Sequence, residues 1–542
     1  MKTLRAYRFL VVAFVIAGIA LRTRGFFVEP RPLWRDEAGW AFILHRAHLL
    51  EPSIRPLGFM ALCKLLVHLF GAREVILRLL PWLAGVGSTL LVVPLAERLL
   101  VSRAARLFLI GVVALHPAAI DFCKEFKPYS VSLFLHSSCL FLVLRYLDTR
   151  SVGRLALALG LPLAGVFFAQ DVVFAIPGLY LAILLRPWRD RRLSHLYATA
   201  AFAVLTLATL LLLYLFFWRQ LDVGPSGDAT FWAKKYDVFY LPRGHEGRWH
   251  WALRKYADIA AFPGERRLHW HLASFLSAKS AGAAAKLFGA LWVILHVAGV
   301  VGLVRQRRWT ALILSATALV VLIAFNQLHF WPFGTFRTNL FVLVYSALLA
   351  SFGVDTWRHL ARLELAPVLC FVVIPLVAFE RDWHAQKIWG GHESGFADLS
   401  KALDKARPPR SGGPREPLVL DEQVCSVFDY YLSLQPDYRH FARTFERRFS
   451  KTCAGNPLDT ALHAATRHRV WLALSDSRKI EETLAGLKSL DPRIEYRRVE
   501  SEAGLVLQLE PHRGEDETPT VHWGPRHHPT GARPSRHETR PR

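Results

Sequence analysis

The sequence predicts a multi-span α-helical membrane protein, with about eleven transmembrane helices and a small C-terminal soluble α/β domain. Three observations carry that expectation. Hydrophobic residues fill 53% of the 542 positions and fall in long blocks. Basic clusters recur in every second turn between those blocks. After Glu380 the blocks stop and short strand-like runs begin.

Crossing roughly 30 Å of hydrocarbon takes about 20 mostly apolar residues. The blocks lie at 7–21, 80–100, 107–122, 129–146, 155–169, 172–185, 197–218, 283–304, 310–325, 340–354 and 365–379. The first has two readings. Lys2, Arg5 and Arg8 before an apolar run that ends Gly18-Ile19-Ala20 suit a cleaved signal peptide, whereas Arg22 and Arg24 suit a retained anchor. The further spans favour the anchor.

The net charge of +24 would suggest nucleic acid in a soluble protein, but no reader motif accompanies it. The positive-inside rule accounts for much of it. With the N-terminus in the cytoplasm, the inner turns carry Arg98/Arg103/Arg106, Arg145/Arg150/Arg154, Arg186/Arg189/Arg191/Arg192, Arg305/Arg307/Arg308 and Arg358/Arg362. The expected location is a bacterial inner membrane, with the C-terminal domain outside the cytoplasm.

The outer segments are longer and richer in aromatic and acidic residues, which places the working surface outside. In the first outer loop, 38–50 and 56–70 are too short and too polar to span and read as helices in the interface. The loop 219–282, aromatic and basic, is expected to pack over the membrane. Residues 1–380 form the membrane domain, 381–510 the α/β domain and 511–542 a disordered tail poor in apolar residues. Within the α/β domain, 417–419, 469–473 and 505–509 read as strands, and 423–434 and 477–487 as helices. Six cysteines are too few for a disulfide scaffold. Cys425 and Cys453 lie together in the outer domain and either pair there or remain two thiols.

Three outer clusters can carry chemistry. Trp34-Arg35-Asp36-Glu37 follows the first span. Asp36 as an N-cap with Glu37 favouring the helix dipole is the ordinary reading. A carboxylate there can also serve as general base toward an acceptor hydroxyl. Lys124-Glu125-Phe126-Lys127-Pro128-Tyr129 fills a tight outer turn. It is either a solvated turn or a site where Lys127 meets a phosphate and Glu125 orients a neighbour. His329 through Arg337, rich in aromatics, enters the tenth block. Arg337 there either snorkels or grips a lipid phosphate. Arg55-Pro56 in the first loop is a fourth candidate.

Trp34-Arg35-Asp36-Glu37-Ala38 resembles the acidic motif of the GT-C membrane glycosyltransferases, including protein O-mannosyltransferases and lipid A aminoarabinose transferases. Arg55-Pro56-Leu57, Phe70-Gly71 and Leu77-Arg78-Leu79 are similar to the pattern of their bacterial members, as are the Lys124–Tyr129 turn and Trp331-Pro332-Phe333 through Arg337. The resemblance covers roughly residues 1–380. It implies a GT-C-like fold and a polyprenyl-phosphate-linked sugar as donor. The acceptor would be an extracytoplasmic glycan, lipid or protein, and the displacement inverting. Asp36 is the implied base, assisted by Glu37. Lys127 and Arg337 would contact the donor phosphate, and Glu125, Tyr129, His329 and Arg55 would line the site. Lys127 replaces the usual Arg and loses its bidentate geometry. Some related enzymes use a divalent metal; Asp36, Glu37, Glu125 and His329 can supply ligands, but no spacing forces a site. The competing class is a multi-span transporter or lipid flippase, which would show mid-bilayer charges and an internal repeat.

Overall fold

The computed structural model describes residues 2–27, 33, 35–46, 55–185, 193–218, 247–261, 276–333, 336–356 and 366–377, and in the C-terminal part 416–421, 425, 449–454, 461, 470–474, 496–501 and 504–509. Helix α1 (Lys2–Thr23) is followed by two short helices, α2 (Arg35–Arg46) and α3 (Leu57–Phe70). Then come α4 (Glu74–Leu99), α5 (Arg103–Leu115), α6 (Pro117–Asp121), α7 (Tyr129–Thr149), α8 (Val152–Gly165), α9 (Ile176–Leu184) and α10 (Leu193–Leu213). The chain continues with α11 (Arg248–Ala261), α12 (Ala278–Arg305), α13 (Trp309–Gln327), α14 (Phe336–Asn339), α15 (Val342–Thr356) and α16 (Ala366–Val368), the last running on as helix to Val377.

Each of the eleven predicted blocks coincides with helix. Among the described residues six helices are long and apolar enough to cross a bilayer, and the bent pair α5–α6 makes a seventh if it is taken as one span. The other four blocks fall on the shorter apolar helices at 152–165, 170–184, 342–356 and 366–377. Among these, α15 is buried along almost its whole length. It packs against α5, α7, α12 and α13, as an all-round apolar helix must when it forms a bundle core.

The bend in the third block has a plain cause. Pro117 has no N–H to donate to Val113, and it pushes His116 into extended backbone, so α5 ends at Leu115. The segments diverge by 44°. The carbonyls left open are taken by Arg22, wholly buried at the end of α1. Its guanidinium donates to Val113 O at 3.1 Å, to Gly18 O at 3.0 Å and to Ala114 O. Arg22 is therefore no exposed flank of a membrane anchor but a cap on a neighbouring broken helix.

Turns predicted to share a side meet at one end of the bundle. Arg98 pairs with Asp148 at 3.3 Å, and Arg308 donates to Leu99 O. Asp355 accepts from the backbone N–H groups of Val101 and Ser102. At the opposite end, Gly58 N–H donates to Phe167 O, Trp331 meets Phe174, and Trp251 of α11 meets Phe333.

Helices α12 and α15 approach backbone to backbone. A Cβ on Gly353 would overlap the Leu295 carbonyl oxygen, and one on Gly299 the Leu349 carbonyl oxygen. Such close small-residue contacts replace the hydrophobic driving force that lipid removes. Gly353→Ala should lower the apparent melting temperature in detergent, at a cost of about 1–3 kcal/mol; an unchanged melt would show the contact relaxing freely.

The C-terminal part contains β1 (Glu416–Asp421), β2 (Phe449–Ala454), β3 (Val470–Leu474), β4 (Tyr496–Ser501) and β5 (Gly504–Leu509) in one sheet of order β2-β1-β3-β5-β4. β1 pairs parallel with β2 and β3, whereas β5 pairs antiparallel with β3 and β4. The predicted strands are β1, β3 and β5, the apolar centre. β2 and β4, missed by the sequence reading, are the edges, with polar sequences such as Tyr-Arg-Arg-Val-Glu-Ser. The predicted helices 423–434 and 477–487 lie outside the described residues except at Cys425. Cys425 and Cys453 are joined as a disulfide with Cα atoms 5.9 Å apart, pinning β2 to the segment that follows β1.

Candidate functional site

The candidate site starts from α2. The helix begins at Arg35, so Asp36 and Glu37 are its second and third residues, inside the first turn rather than at its cap. The positive end of the helix dipole favours carboxylates there. Glu37 is wholly buried, and both its oxygens are engaged. Arg78 of α4 donates Nε to Oε1 at 2.8 Å and Nη2 to Oε2 at 2.5 Å, a two-pronged pair between buried groups. The backbone N–H of Phe126 also donates to Oε1. One carboxylate thus joins α2, the start of α4 and the turn before α7.

That turn is not solvated: Lys124, Glu125 and Lys127 are all buried. It is tight, with Lys127 N–H donating to Glu125 O at 2.8 Å across three residues. Lys124 Nζ donates to Arg24 O at 2.9 Å, anchoring the turn to the end of α1. Tyr129 opens α7 with its ring edge against Phe122.

Trp40, one turn after Asp36 in α2, gathers two of the predicted cations. The Lys127 ammonium lies 4.0 Å from the indole centroid and the Arg55 guanidinium 5.3 Å from it. Phe59 and Phe126 stack at 5.7 Å, and both present edges to Trp40. Burial holds the Arg55 guanidinium below its ordinary pKa, because the charged form is poorly solvated there. An arriving anion would relieve that penalty.

A second group of residues surrounds α14, the one-turn helix carrying Arg337. Asn326 Nδ2 donates to Trp331 O at 2.9 Å. Trp331 Nε1 donates to Asn339 Oδ1 at 3.1 Å, and Asn339 Nδ2 donates to Pro332 O at 3.0 Å. His329 turns the chain after α13 with a left-handed φ of 60°. α14 contacts α7, the helix that follows the Lys127 turn, so both groups stand at the same end of the bundle.

Several residues here escaped the sequence reading. Ser132 donates to Asp171 at 2.5 Å, and His136 shares a hydrogen bond of 2.8 Å with Tyr345, so α7 is joined to α15 and to the turn before α9 by buried polar groups. Asp171 and His136 are ionisable groups in apolar stretches, and that was the available signal. Trp40, Asn326 and Asn339 gave none. Among the described residues no three His, Cys, Asp or Glu side chains gather as a metal site. Glu37, spent on Arg78 and Phe126, does not fit as a metal ligand.

The helical fold is similar to that of solved structures at low sequence identity. The particular likeness is to ArnT from Cupriavidus metallidurans. Its apo structure is similar with a TM-score of 0.52 at 14% identity, covering 93% of this chain and 98% of that one. Its structure bound to undecaprenyl phosphate gives 0.50 at 14% identity, covering 92% and 97%. The apo oligosaccharyltransferase of Archaeoglobus fulgidus gives 0.44 at 11% identity, covering 91% and 73%. No protein-family model and no curated protein matches the sequence.

Proposed function

We propose that this protein is a glycosyltransferase that moves a sugar from a polyprenyl-phosphate donor to an extracytoplasmic glycan, lipid or protein, with inversion. The observation that carries the reading is the Arg55–Lys127 pair on Trp40, one helical turn from Asp36 at one end of a fold similar to that of ArnT. In this reading the membrane domain is residues 1–380 with eleven crossings and a cytoplasmic N-terminus. Residues 381–510 stand outside, and 511–542 form a tail.

The chemistry asks for three things. The acceptor hydroxyl loses its proton to the Asp36 carboxylate as its oxygen attacks the anomeric carbon. The anomeric carbon–oxygen bond breaks on the opposite face, and polyprenyl phosphate leaves with the bonding electrons. Negative charge growing on that phosphate is stabilised by Lys127 and Arg55, and by Arg337 from α14, in a site of low polarity where such attraction is strong. Glu37 assists by fixing α2 and the 125–127 turn. The undecaprenyl phosphate held by ArnT supports the donor class. A transporter would want its charges near mid-bilayer, whereas this cation pair lies at one end.

Deleting the gene and comparing surface glycans, lipids and glycoproteins by mass spectrometry should remove one sugar modification, which the wild-type gene restores. An unchanged profile, once redundancy is excluded, would overturn the reading and return the transporter. For the purified protein, Lys127→Ala should weaken binding of undecaprenyl phosphate about tenfold, the scale of one charge-assisted hydrogen bond. Equal binding would remove Lys127 from the phosphate site.

A further inference from the structure

We propose that Asn339 is the positioning residue for Arg337, its side-chain amide tying the end of α14 to Trp331 and Pro332 and so setting where α14 stands. The inference rests on the reading of Arg337 as a phosphate contact.

α14 is four residues long, too short to persist by its own hydrogen bonds. Its shape must be imposed from outside, and Asn339 is placed to impose it. The residue is fully buried, and its amide is used in three directions. Oδ1 accepts from Trp331 Nε1 at 3.1 Å; Nδ2 donates to Pro332 O at 3.0 Å and to Thr338 Oγ1 at 3.0 Å. One side chain at the end of the segment therefore holds the two residues that begin it, and Arg337 lies between.

The far side of the loop is fixed as well. The Trp331 carbonyl accepts from Asn326 at the end of α13, and its ring stands edge-on to Phe174 at 5.3 Å. Phe333 is buried and faces Trp251 of α11 at 6.5 Å. With Trp331 and Phe333 immobilised on neighbouring helices, the Asn339 bonds transmit that fixed frame to α14. No other amino acid of similar size presents an acceptor and two donors in one plane. A displacement of about 1 Å in a charged contact is enough to cost one to two orders of magnitude in a phosphate-handling site.

The test measures binding of undecaprenyl phosphate to the full-length protein in detergent, for wild type, Arg337→Ala, Asn339→Leu and the double variant, with a thermal melt of each. Asn339→Leu is expected to weaken binding about tenfold. The double variant should bind no more weakly than Arg337→Ala within about twofold, since residues acting as one unit are not additive. Losses that multiply in the double variant, or wild-type binding by Asn339→Leu, would overturn the inference. Wild-type binding by Arg337→Ala would instead strike the phosphate reading of Arg337, and the inference with it. Should Asn339→Leu fail to accumulate, Trp331→Phe removes the indole N–H from the same bond while keeping an aromatic ring there. It is then expected to show the same loss and the same non-additivity with Arg337→Ala, and wild-type binding by Trp331→Phe would overturn the inference.

Discussion

Asp36→Asn is expected to abolish sugar transfer while leaving the protein at its normal level in the membrane. A positioned general base contributes about 10²–10⁴ in rate, and an amide of the same shape cannot accept the proton. The substitution keeps a polar residue in the first turn of α2 and leaves the Glu37–Arg78 pair intact. The phosphate contacts should also survive, so undecaprenyl phosphate should bind Asp36→Asn at least as tightly as wild type, with one negative charge fewer near the lipid phosphate. The decisive comparison is a deletion strain carrying either gene, followed by mass spectrometry of its surface glycans with membrane levels measured in parallel. If Asp36→Asn restores the modification, Asp36 is only a favourable charge at a helix start, and the base must be sought elsewhere.

Arg78→Ala should have the largest effect on stability. It leaves the Glu37 carboxylate buried against Phe126 N–H with its principal partner gone, and breaking a buried ion pair from one side costs about 3–5 kcal/mol. Replacing both members by leucine removes the stranded charge, so Glu37→Leu/Arg78→Leu should melt closer to wild type than Arg78→Ala does. Even so, the double variant should bind undecaprenyl phosphate poorly, because Phe126 N–H loses its acceptor and the neighbouring Lys127 is no longer held over Trp40. Detergent melts and binding, measured on the same samples, separate the two effects. A double variant as unstable as Arg78→Ala would mean that the fork contributes more than charge compensation.

The membrane domain was legible because its signals are large. Blocks of apolar residues and arginines in alternate turns survive any uncertainty of a few residues, and each predicted block became helix. The site was legible in part. Asp36, Arg55, Lys127 and Arg337 stand out because charge is scarce near spans, but their company does not. Trp40 looked like one more interfacial aromatic, and only the fold brings Arg55 and Lys127, 72 positions apart in the chain, to its ring. Arg78 was noticed as part of a short pattern, yet nothing local reveals that its partner is Glu37, 41 residues earlier. Asn326 and Asn339 are ordinary loop residues by composition; their importance lies in hydrogen bonds to a backbone whose path the sequence does not disclose. The edge strands β2 and β4 were lost because a solvent-facing edge needs no apolar alternation.

The cap that Arg22 places on the broken third helix bears on how the protein can be made. A foreign leader or membrane anchor put in place of Lys2–Thr23, a common device for raising yield, would discard Gly18 and Arg22 together. The carbonyls of Val113 and Ala114 would then lose the Arg22 donor in the buried interior, and the segment that leads into the Lys127 turn would lose its brace. Tags belong on the other side of α1, ahead of Lys2, where Gly18 and Arg22 stay in place.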